Sequence, residues 1–113
     1  MTEITIQKAP GKWTVRSGGA ILGETSNALE LNEGDLDPVI YFPRSDIAMA
    51  FLDQTDKVTH CPHKGDATHF SIVNKSSVTE NAAWSYEDPI QAVAEIKGYL
   101  AFYPQESVKV EQI

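Results

Sequence analysis

The chain has 113 residues, 42% of them hydrophobic and 22% charged, the balance of a soluble globular protein with room for one modest core. Its 9 basic and 16 acidic residues leave a formal net charge of -7; with the basic residues scattered, a nucleic-acid partner is excluded. No apolar run approaches the roughly 20 residues that cross a bilayer, so no membrane partner is expected either.

The start, "MTEITIQK", lacks the basic and then apolar regions of an export signal. The one cysteine, Cys61, fits a reducing compartment. The expectation is a single cytoplasmic domain over residues 1–113.

Taken in chain order, "EITIQ" alternates and places Ile4 and Ile6 on one face of a strand. After a Pro10-Gly11 turn, "KWTVR" does the same with Trp13 and Val15. "RSGGAI" predicts a tight hairpin, because Gly18 and Gly19 supply the positive φ angles of a two-residue turn, and "AILGE" is the returning strand. "ALELN" predicts a short strand, "EGDLDP" a loop, and "PVIYF" a buried, β-prone run.

Two short α-helices are predicted next to these strands. "SDIAMAFL" offers Ser45 as N-cap and puts Ile47, Ala48, Phe51 and Leu52 on adjoining faces. The second begins at Asp88 as N-cap with Pro89 in the first turn, carries Ile90, Val93 and Ile96 or Ala94 as its apolar stripe, and closes at Gly98. Between them "KVTHC", "THFSIV" and "AAWSYE" are strand-like, and "YLAFY" and "SVKVEQI" finish the chain. Strands dominate, at a spacing that predicts antiparallel hairpins and a mainly β fold.

The chemistry is concentrated in "HCPHKGDATH", which holds all three histidines and the cysteine. A metal site drawn from His60, Cys61, His63 and His69 has the right ligand types. Its spacing is not that of a zinc finger or ribbon, and in a strand His60 and Cys61 leave opposite faces, which leaves Cys61, His63 and His69 as the alternative metal set. Cys61 as a nucleophile needs a nearby cation, for which Lys64 and the flanking histidines are candidates.

A third reading is a binding pocket: Trp84 and Tyr86, two apart on one strand face, make a flat aromatic wall. The bland counterpart of each reading is a strand end and turn, with Trp84 and Tyr86 simply in the core. Asp35 and Asp37 form a D-x-D pair with no glycine-serine element upstream, and are read as a solvated loop.

The blocks "PVIYFPRSDIAMAFL", "THCPHKGDATHFSIV" and "AAWSYEDP…IKGYLAFYP" resemble the signature blocks of a domain-of-unknown-function family, DUF427, also labelled a putative nucleotidyltransferase domain. The resemblance spans about Val15 to Val110. It implies a β-tent-like pair of antiparallel sheets with a pocket on one of them, similar to methionine sulfoxide reductase B and the thalidomide-binding domain of cereblon. The paired C-x-x-C motifs that bind structural zinc in such relatives are missing here, as is the late catalytic cysteine of the reductases, and no residue pattern supports nucleotidyl transfer.

His60, Cys61, Lys64, Gly65, Trp84, Tyr86 and Pro89 match the family blocks, whereas His63 stands where an aromatic residue is usual. The ligand-binding candidates are therefore Lys64, Trp84, Tyr86, His60, Cys61 and, beside the first helix, Arg44. Lys64 is expected to meet an anionic or carbonyl group. The enzymatic alternative uses Cys61 or Lys64 as nucleophile with His60 as acid or base. No cofactor is expected, the partner is a small molecule, and an exposed strand edge would allow a homodimer.

Overall fold

The structure, a computed structural model, describes residues 3–113; Met1 and Thr2, part of the stretch read above for an export signal, lie outside the described residues. Among the described residues ten strands follow one another: β1 (Ile4–Lys8), β2 (Trp13–Ser17), β3 (Ala20–Thr25), β4 (Leu29–Glu33), β5 (Val39–Tyr41), β6 (Leu52–Cys61), β7 (Gly65–Val73), β8 (Val78–Ser85), β9 (Ala101–Phe102) and β10 (Val108–Gln112). Each overlaps a segment whose sequence reads as strand-like, and the mainly β expectation holds. No helix is long and apolar enough to cross a membrane among the described residues.

The strands form three antiparallel sheets, ordered β1-β4-β5, β10-β2-β3 and β6-β7-β8-β9, where the resemblance implied two. Gly18 and Gly19 take φ of 56° and 89°, as the β2–β3 hairpin requires.

The two predicted α-helices are 3-10 turns instead. Over the first lie two three-residue turns, Arg44–Asp46 and Met49–Phe51, with Pro43 rather than Ser45 in the capping position and no side-chain cap. Ile47 between them is extended, at φ -109° and ψ 138°, because it forms a bridge with Gly23 of β3. The neighbouring Ala48 N–H donates to Leu22 O at 2.8 Å. Pairing to β3 has overridden the local helical pattern.

The second is a kinked 3-10 segment, Gln91–Ile96, entered from an extended Ile90. The Ile90 N–H is committed to Lys64 O at 2.9 Å, so Asp88 has no helix to cap. Val93 and Ile96, its buried residues, are three apart, which suits a helix of three residues per turn. Gly98 closes the segment at φ +77°.

Register sorts the four-stranded sheet into two faces. His69 pairs with Trp84 and Trp84 with Ala101; Phe70 pairs with Ala83 and Ala83 with Phe102. Side chains alternate along a strand, so the first set points to one side and the second to the other. Each side carries a core. Phe70, Ala83 and Phe102 join Val15, Phe42 and Leu100, with Phe42 and Phe102 edge to face at 5.9 Å. Ala67, Tyr86 and Ala101 join Leu31, Tyr41, Val93 and Ile96 on the opposite side.

Candidate functional site

A cavity of about 190 Å³ opens between β4–β5 and the second face of the β6–β9 sheet. Its walls follow from the alternation of the strands. Leu31 and Glu33 lie two apart on β4, Val39 and Tyr41 two apart on β5, and Leu31 pairs with Val39. Trp84 and Tyr86 come from β8 and its end, and Tyr103 follows β9.

Trp84 is held from two sides. Its indole Nε1–H donates to the Tyr41 hydroxyl at 3.2 Å, with the two rings edge to face at 6.3 Å. Tyr103 packs against the indole at 4.3 Å between centroids. Burial pushes the Tyr41 phenol well above its ordinary pKa. It raises Tyr103 as well, and raises Tyr86 against the opposing pull of the Lys64 charge. At neutral pH these three hydroxyls are therefore neutral.

Lys64 enters from the turn after β6. Its N–H donates to Cys61 O at 3.1 Å, and Gly65 follows at φ +111°, a conformation that L side chains rarely adopt. A Cβ on Gly65 would lie 3.6 Å from Asp88 O, Pro89 Cα and Ile90 N, so this turn sits against the 88–90 segment. The Lys64 ammonium donates to Glu33 Oε1 across the cavity wall, with the two side chains only 12% and 14% exposed. It also stands 6.0 Å from the centroid of the Tyr86 ring. Burial works to lower the Lys64 pKa, but the hydrogen bond to Glu33 leads the effects that raise it, and the balance lies above the ordinary value. Lys64 is a protonated cation in the wall of the cavity.

The sequence candidates divide by face. Lys64, Trp84 and Tyr86 come together in the cavity. Cys61 is half-buried and packs with the core that contains Tyr86 and Tyr41, but it does not line the cavity. His60 does not join them. It points to the other face, where its Nδ1 lies 2.7 Å from Asp66 Oδ1 on an exposed pair; the strand alternation that brings Cys61 inward turns its neighbour outward.

Arg44 is also on the other face. Its Nη2 donates to both Glu87 oxygens at 2.7 and 2.8 Å and its Nε to Gly98 O at 3.1 Å, with the guanidinium 5.7 Å from the Phe70 centroid. It ties the first 3-10 turn to the two flanks of the Gln91–Ile96 segment and does not line the cavity.

The alternative metal set is not assembled. His63 is exposed in the turn, while His69 is fully buried on β7, and among the described residues no three His, Cys, Asp or Glu side chains gather in a group able to hold a metal ion. The His69 Nε2 lies 3.1 Å from the Tyr103 hydroxyl, and its Nδ1 is buried without a partner among the described residues. Burial, aided by the charge of Lys57, lowers its pKa. His69 thus supports Tyr103 from behind as a neutral ring.

Eight lining residues were not among the sequence candidates, and Glu33, Tyr41, Tyr103 and Asp37 matter most for the chemistry of the cavity. The alternation of "LELNE", "PVIYF" and "YLAFY" places Glu33 after Leu31, Tyr41 after Val39 and Tyr103 after Ala101, but only the packing of one sheet on another brings them to a shared cavity. Asp37, assigned to a solvated loop, lies at its margin.

Fold and site together define a mainly β protein with an aromatic-walled cavity that contains a Lys–Glu pair. Residues 5–113 match the family model described as "Domain of unknown function (DUF427)", and the chain belongs to that family. No curated protein matches the chain.

Proposed function

We propose that the cavity binds a small molecule, or a modified side chain, through a neutral carbonyl group. The observation that carries this reading is the Lys64 ammonium held by Glu33 beside the rings of Trp84 and Tyr86. An ammonium has three N–H donors and Glu33 uses one, so donors remain for a carbonyl oxygen. The charged lining groups are Lys64, Glu33 and Asp37, a balance that disfavours an anionic guest over a neutral one. The aromatic rings supply flat apolar walls. At about 190 Å³ the cavity suits a single ring or a side-chain-sized group and falls short of a drug-sized pocket.

A nucleophilic role for Lys64 is disfavoured by the same pair, which keeps the amine protonated. Benzamide and benzoate, equal in shape and different in charge, provide the test. Followed by proton–nitrogen correlation spectra, benzamide is expected to bind more tightly than benzoate and to shift the Trp84 indole signal. Lys64→Met is expected to weaken it by about tenfold, in keeping with a hydrogen bond to a charged donor, and Cys61→Ser to leave it unchanged. Equal benzamide affinity in Lys64→Met would overturn the reading.

A further inference from the structure

A second and larger cleft, about 510 Å³, lies across β5 from the first. Glu30 pairs with Ile40 on the face of β4–β5 opposite to Leu31 and Tyr41, and both Glu30 and Ile40 line the second cleft. Trp13 of β2, Phe102 of β9 and Val110 of β10 contribute to its apolar wall, and Trp84, Val39 and Asp37 are common to both cavities.

Two features set its chemistry. Both charged residues in its lining, Glu30 and Asp37, are carboxylates, and no basic group lines it among the described residues. Neither forms an ion pair among the described residues; Glu30 only accepts from the Asn32 and Gln7 side-chain amides, at 3.0 and 3.5 Å. The indole N–H groups are already used, Trp13 on Pro10 O at 3.1 Å and Trp84 on Tyr41 at 3.2 Å. What the tryptophans offer a guest is therefore the π face, whose quadrupole attracts a cation.

We propose that this second cleft binds an organic cation with an apolar body, of the alkyl- or arylammonium class. The apolar wall takes the body, the indole rings face the charge, and Glu30 and Asp37 complement it. An anion would meet two uncompensated carboxylates, and a neutral guest would forgo both attractions. The smaller cavity cannot serve this guest as well, because Lys64 already places a cation against Tyr86.

The chain has two tryptophans, and they report on the two cavities differently: Trp13 lines only the larger one, Trp84 both. In proton–nitrogen correlation spectra, benzyltrimethylammonium is expected to shift both indole signals and to bind more tightly than benzyl alcohol. Glu30→Gln, an isosteric change on a half-buried strand residue, is expected to weaken the cation by roughly threefold, the scale of a partly screened charge interaction. A shift confined to Trp84, equal affinity for benzyl alcohol, an unchanged dissociation constant in Glu30→Gln, or no binding of the cation at millimolar concentration would each overturn the proposal. Lys64→Met separates this inference from the carbonyl reading, since it weakens benzamide, while the cation still shifts the Trp13 indole signal, which reports on the larger cleft alone.

Discussion

Lys64 and Glu33 are each other's main compensation for leaving water. With both side chains nearly buried, removing one partner strands the other's charge in a poorly solvated place, whereas removing both leaves neither. Glu33→Gln and Lys64→Met are each expected to cost about 3 kcal/mol, and the double variant clearly less than their sum. Urea unfolding of the four proteins in this cycle measures the difference; additive losses would show that the two residues do not compensate one another. The pair also marks what local sequence could not display. Lys64 stood out in "HCPHKGDATH", but Glu33 lies thirty-one positions away, in a stretch whose alternation reads as an ordinary strand. His60 shows the converse: its proximity to Cys61 in sequence is what turns it to the other face.

At the scale of elements, the strands were legible because alternation is a local property, and the two helices were misjudged because their fate was decided elsewhere. Ile47 has a suitable place in a helical stripe, yet it pairs with Gly23, and that pairing needs the glycine. A Cβ at position 23 would stand 2.5 Å from Ile47 Cδ1 and 2.7 Å from the backbone oxygen of Asp46. The isoleucine end can swing aside, but the carbonyl is part of the first 3-10 turn. Gly23→Ala is therefore expected to destabilise the fold by about 2 kcal/mol, the usual scale of overpacking, with the loss read from the shift of the thermal midpoint. An unchanged midpoint would mean that the turn relaxes freely, and that β3 does not dictate its shape. Asp88 and Pro89 carry the pattern of a helix start, but the Ile90 N–H is taken by Lys64 O, so the segment that resembles a cap braces the lysine turn instead.

Over the whole molecule, the β6–β9 sheet separates two cores, and each cavity lies at the margin of one. Leu31, Tyr41 and Tyr86 of the smaller cavity belong to one core, while Phe102, Trp13, Ile40 and Val110 of the larger belong to or pack on the other. Trp84 touches both spaces, so Trp84→Ala is expected to weaken benzamide and benzyltrimethylammonium together, each by about tenfold, a loss in line with removing one large aromatic wall. Retention of either affinity would assign the indole to the other site alone.

The shared indole carries a consequence beyond its role as a wall. The indole is held by a hydrogen bond to Tyr41 and by packing against Tyr103, and a guest that moved the ring from one cavity would redraw the space of the other. Were both cavities filled, their occupancy would then be thermodynamically linked, and linkage is reciprocal: whatever factor the first guest imposed on the affinity of the second, the second would impose on the first. A protein of 113 residues would in this way compare two chemically different molecules across a shared wall, with Trp84 as its largest side chain beside Val39 and Asp37.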